Sequence, residues 1–150
     1  MKTLKIKWQR LVVQGEQCSR CSATEKEVEK AFHMLKQSLA PLGTNMLLEK
    51  KELSLETYNK DVLESNRIWI GERPLEDWLN ARVGQSLCSG PCCNNEFRTL
   101  EVKGKVYDRI SADAIIEAGF IAASQLFSYD IKSLVYLKSK EKEKSTDIHS

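Results

Sequence analysis

One segment constrains this chain more than any other. Leu4, Ile6 and Trp8 alternate with Lys5, Lys7 and Gln9, the apolar run Leu11-Val12-Val13 follows, and past Gln14-Gly15 the chain runs through Cys18-Ser19-Arg20-Cys21 into a helical pattern. Period-two alternation predicts a strand with one buried face. Val28, Phe32, Leu35, Leu39 and Leu42 then recur at helical spacing as far as Pro41 and Gly43, where two stop signals agree. A Cys-x-x-Cys pair therefore stands at a strand end and a helix start. Thr24 and Glu27 have the spacing of a capping box, in which each side chain satisfies a free backbone donor at a helix start. A helix beginning at the Thr24 cap leaves Cys21 three residues outside it, whereas one beginning at Ser19 takes the pair into its first turn. Both starts stay open.

Further along, Met46 to Leu53 reads as a second strand, and SLETYNKDVLES as a polar connection or a short helix. Arg67-Ile68-Trp69-Ile70 is a short buried strand that turns at Gly71-Glu72 toward Pro74, a favoured first residue for the short helix PLEDWLNA. A loop rich in Gly, Ser, Pro and Asn follows and carries a second cysteine cluster, Cys88, Cys92 and Cys93. FRTLEVKGKVYDRI alternates around Lys103-Gly104 as a β-hairpin. Ser111 is placed to cap a last helix through Ile115, Ile116, Ile121 and Leu126.

The sum is one α/β domain over residues 1–130, helices packed on a mixed sheet, with a charged, disordered tail at 131–150 that has almost no apolar content from Lys138 onward. At 150 residues one core suffices. With 41% hydrophobic and 29% charged residues the chain is of ordinary globular composition. It has no apolar run long enough for a membrane span, and its start lacks the continuous apolar region of a secretory signal, so a cytoplasmic protein is expected. A net charge of +2 is too weak to imply nucleic acid. Lys2, Lys5, Lys7 and Arg10 are read as the solvated side of a strand. In a reducing compartment, five cysteines that cannot all pair do not form a structural disulfide framework.

A strand running into Cys-x-x-Cys and then a helix resembles the thioredoxin-like superfamily. WQRLVVQGEQCSRCSATEKEV, LAPLG, ESNRIWIGERPLEDWL, GQSLC and RTLEVKGKVYD together are similar to an uncharacterised prokaryotic family of cysteine-rich proteins in that superfamily, a domain of unknown function, over roughly residues 3–127. The resemblance implies a thioredoxin-like fold and carries no assigned activity. The chain departs from the pattern twice. Where thioredoxins have a cis-proline before the strand beside the cysteine pair, it has Ser65-Asn66-Arg67, and a trans bond is expected at Asn66. Where the family tends to have a cysteine before Arg98-Thr99, it has Phe97.

Two functions compete for the cysteines. As a thiol-disulfide couple, Cys18 attacks a protein or small-molecule disulfide and Cys21 resolves the product, with backbone donors and the helix dipole favouring the thiolate. As a soft-metal site for zinc, copper, an iron-sulfur cluster or a toxic metal, Cys18 and Cys21 supply one half and Cys88, Cys92 and Cys93 the other. That second arrangement needs the fold to bring distant segments together. A non-catalytic interaction module is the third reading. Neither nucleic acid nor membrane is expected as a partner. His33 reads as a solvated or core-edge residue, and His149 lies in the tail. Trp8, Trp69 and Trp78 read as core aromatics, and Glu76 and Asp77 as helix N-terminal charges.

Overall fold

The computed structural model describes residues 2–16, 19–87, 96–107 and 110–127, with side chains for all of these except 19–21, 86–87 and 96–97. The expected tail at 131–150, Cys18 and the second cysteine cluster lie outside the described residues.

The first strand, β1 (Lys2–Leu11), is followed by the helix α1 (Ser19–Leu39) and the strand β2 (Thr44–Leu53). A short helix, α2 (Leu55–Lys60), and a 3-10 turn at Val62–Glu64 lead to β3 (Arg67–Ile70), β4 (Arg73–Pro74) and the short helix α3 (Leu75–Leu79). The strands β5 (Arg82–Leu87), β6 (Glu96–Val102) and β7 (Lys105–Tyr107) come next, and residues 112–127 form a last helix, α4. No described helix is long and apolar enough to cross a membrane.

β1 is central in a four-stranded sheet of order β2-β1-β3-β4. It runs parallel to β2, with Leu4 opposite Met46, and antiparallel to β3, with Trp8 opposite Ile68. The parallel pairing follows from the helical crossover through α1, since parallel neighbours cannot be joined by a tight turn. Alternation along β1 puts Leu4, Ile6 and Trp8 on the buried side with Met46, Ile68 and Ile70. Val28, Ala31, Leu35 and Leu39 of α1 and Ile115, Ala118 and Ala122 of α4 belong to the same core. The two helices approach closely at Gly119, where a Cβ would lie 2.5 Å from Leu35 Cδ1.

β5, β6 and β7 form a separate antiparallel sheet in that order. The β6–β7 turn is the one expected at Lys103-Gly104, and both residues have positive φ, 52° and 82°, the combination a two-residue hairpin turn requires. β5 is an addition to the sequence reading, which has a loop there. Its register sets Gly84 against Thr99 and Leu87 against Glu96. Leu100 and Ile110 are buried in the common core and join this second sheet to the rest. Ser111 caps α4 as anticipated, its Oγ accepting from Ala114 N–H at 3.3 Å.

Candidate functional site

α1 begins at Ser19, so Cys18 immediately precedes its first residue and the backbone of Cys21 belongs to its first turn. The side chains of both cysteines lie outside the described residues. This start excludes the capping box: Thr24 and Glu27 lie inside the helix and serve other partners. Thr24 is fully buried, and its Oγ1 accepts from Asn66 Nδ2 at 3.2 Å. Glu27 Oε2 accepts from the backbone N–H of Ala112 at 2.9 Å and so caps α4 rather than its own helix. Local spacing suggested a cap because Thr and Glu suit one chemically; long-range partners took both side chains.

The turn between α2 and β3 meets α1 at Thr24. Asn66 is fully buried with φ of 62°, and no described peptide bond is cis, as expected for the non-proline at this position. Asparagine is among the few side chains that tolerate left-handed backbone. Its carboxamide is held at both ends. Trp8 Nε1 donates to Oδ1 at 2.8 Å, and an indole N–H can only donate, so the amide nitrogen must face Thr24. The residues around it are tied as firmly. Gln9, buried in β1, donates to Glu64 at both its carbonyl oxygen (2.8 Å) and its Oε2 (2.7 Å), while Arg67 Nη1 donates to Glu64 Oε1 at 2.8 Å. Leu11 N–H reaches Ser65 Oγ at 3.4 Å. From the second sheet, Arg98 Nη1 donates to the Leu63 carbonyl at 2.7 Å.

Arg98 is nearly buried and its other amino group pairs with Glu76. Burial pushes the guanidinium below its ordinary pKa, and the Glu76 carboxylate opposes that shift. Glu76 stands with Asp77 in the first turn of α3, as expected, and is also the counterion of a buried cation. The pairing of Arg98 with Glu76 has no local signal in the sequence, because it is between α3 and β6. Asn66 stands out in the sequence only as the absence of a proline.

The second cysteine segment, 88–95, joins Leu87 to Glu96, which are register partners at one end of the β5–β6 ladder. Arg98, two positions beyond Glu96, is the residue hooked to Leu63. Among the described residues no group of His, Cys, Asp and Glu is arranged to hold a metal ion. His33 is exposed and packs against the Phe32 ring at a centroid distance of 5.6 Å, in keeping with the solvated reading; His149 lies outside the described residues. Of the tryptophans, Trp8 is core, whereas Trp69 is only partly buried, with Lys7 Nζ 4.8 Å and Arg67 Cζ 4.6 Å from its ring centre. Trp78 is also partly buried, its Nε1 donating to the Ile70 carbonyl at 2.9 Å.

The fold defines a mixed α/β protein whose Cys-x-x-Cys segment runs into the start of its longest described helix. The chain belongs to the family described as Domain of unknown function (DUF2703), which it matches over residues 4–119. It is also 44% identical over 112 residues to an uncharacterized protein of Archaeoglobus fulgidus, a match covering 75% of this chain and 82% of that one. No solved structure matches it.

Proposed function

We propose that the chain is a thiol-disulfide redox protein on a thioredoxin-like frame, with Cys18 and Cys21 as the couple. The frame is supported by the sheet order β2-β1-β3-β4, with β1 parallel to β2 and antiparallel to β3, and by the position of the Cys-x-x-Cys segment after β1 at the start of α1. The observation that carries the redox reading is the start of α1 at Ser19. Free backbone N–H groups of a helix's first turn stabilise negative charge, and that lowers a cysteine pKa from about 8.5 to about 7 or below. The Cys18 thiolate attacks one sulfur of a disulfide R–S–S–R′, forming a mixed disulfide and expelling R′–S⁻. The Cys21 thiolate then attacks Cys18 of that mixed disulfide, closes the Cys18–Cys21 bond and expels R–S⁻. Two electrons pass from the pair to the substrate, and the two protons lost by the pair go to the departing thiolates.

A second reading, a soft-metal thiolate site using Cys18, Cys21 and two of Cys88, Cys92 and Cys93, is favoured by one contact. The Arg98 bond to Leu63 ties the strand leaving the second cysteine segment to the turn that carries Asn66. Four thiolates in tetrahedral array would suit zinc or another soft ion. Purification under reducing conditions, elemental analysis and peptide mapping after mild oxidation separate the readings. The redox reading expects metal-free protein with a reversible Cys18–Cys21 disulfide that survives Cys88→Ser with Cys92→Ser. About one metal per chain, lost in that double variant and protecting Cys18 and Cys21 from alkylation, would replace it with the metal reading.

A further inference from the structure

The turn at 63–67 is held more tightly than its size requires. Leu63 is bonded by Arg98, Glu64 by Gln9 and Arg67, Ser65 by the backbone of Leu11, and Asn66 by Trp8 and Thr24. These partners come from β1, α1, β3 and β6. Left-handed backbone at a residue other than glycine persists where the surroundings over-determine it, and such places concentrate at sites that need fixed geometry. Asn66 of this turn bonds α1 at Thr24, three positions beyond Cys21 and close to one helical turn. Residues three apart on a helix occupy one flank, so position 21 lies on the flank that Asn66 grips.

We infer that Asn66 is a positioning residue for the cysteine pair, acting through Thr24 to hold the first turns of α1 in fixed relation to β1. The inference rests on the redox reading above. Cys18 and Cys21 are three positions apart in the sequence, and the bridge between them forms only if their Cα atoms stay within about 7 Å. The segment carrying them is attached to the sheet through β1 on one side and α1 on the other. Trp8 and Thr24 are the residues of those two elements that the Asn66 carboxamide joins. Loss of the amide lets α1 shift relative to β1 and alters how well the dithiol and the disulfide are each accommodated. A second consequence concerns the backbone N–H groups of the first turn, which stabilise the thiolate only while the turn stays wound and oriented.

The test uses the full chain. Asn66→Gly keeps left-handed backbone without strain and removes the carboxamide; Thr24→Val keeps the shape and removes the acceptor; Thr24→Ser keeps the hydroxyl. Each protein is equilibrated with reduced and oxidised glutathione, the Cys18–Cys21 disulfide is quantified by peptide mapping, and folding is checked by circular dichroism. Asn66→Gly and Thr24→Val should both move the equilibrium constant about tenfold or more in the same direction, and Thr24→Ser should return it to within about twofold of the parent, a shift of less than about 10 mV for two electrons. If Asn66→Gly does not fold, the Thr24→Val and Thr24→Ser pair decides. Folded variants with the parental equilibrium constant would overturn the positioning role alone. A parent that forms no Cys18–Cys21 disulfide would overturn the redox reading and this inference with it.

Discussion

Glu27 of α1 caps a helix that begins 85 residues later, its carboxylate accepting the backbone N–H of Ala112 at 2.9 Å. The first N–H groups of a helix have no partner within it, and a side-chain acceptor there contributes about 1 kcal/mol. Glu27→Ala should cost about that much in urea unfolding, and Glu27→Gln, which keeps an acceptor oxygen, clearly less. Equal losses in the two would mean that the contact contributes nothing as a cap.

Gly119 is the point at which α4 meets α1. A Cβ there would lie 2.5 and 2.8 Å from the two Leu35 methyl carbons, and Leu35 is fully buried, so it has little room to turn away. Gly119→Ala should destabilise the protein by about 1–3 kcal/mol despite alanine's better helix propensity. Adding Leu35→Val removes part of the obstruction and should recover some of the loss. Thermal melting of the single and double variants checks both statements.

Removing one partner from the Arg98–Glu76 pair leaves a buried charge without its counterion. Arg98→Met or Glu76→Gln should each cost about 3–5 kcal/mol in denaturant unfolding. Arg98→Met with Glu76→Leu should cost less than the sum of its parts, because a buried ion pair is itself expensive to desolvate. Additive losses would place the stabilisation in other contacts of the two side chains.

Lys50 on β2 reaches Glu29 and Glu25 of α1. The hydrogen bond to Glu29 raises its pKa above the ordinary 10.5, with burial working the other way and Glu25 adding to the rise. A cation whose folded pKa exceeds its unfolded one contributes fully below the unfolded value and loses that contribution as pH rises through the folded one. Melting temperature should therefore fall more steeply above pH 10.5 in the parent than in Lys50→Met. The partly exposed side chains keep the difference small, about 0–1 kcal/mol.

Regular elements were legible wherever their own periodicity specified them. The alternation of Leu4, Ile6 and Trp8 identifies β1, the run 67–70 coincides with β3, and Lys103-Gly104 marks the β6–β7 turn. β5 escaped because Arg82–Leu87 contains Gly84 and has few apolar residues to alternate; its pairing with β6 depends on the partner strand. Thr24 and Glu27 misled for the opposite reason, since a sound local use existed for both. In the candidate site the cysteine pair was visible as a motif. Its surroundings were not: Asn66 contacts residues 58 and 42 positions away, and Arg98 is 22 positions from Glu76. No window along the chain contains such pairs.

The central place of β1 also governs when the cysteine pair acquires its setting. Both neighbours of β1 follow it in the chain, β2 after α1 and β3 later still, so Cys18 and Cys21 are synthesised before either neighbour. At ordinary elongation rates the delay between Cys21 and the arrival of Asn66 is roughly 2 to 10 s. Throughout that interval the sheet in which β1 is central is incomplete. Until then no turn at 63–67 exists to join Trp8 of β1 to Thr24 of α1.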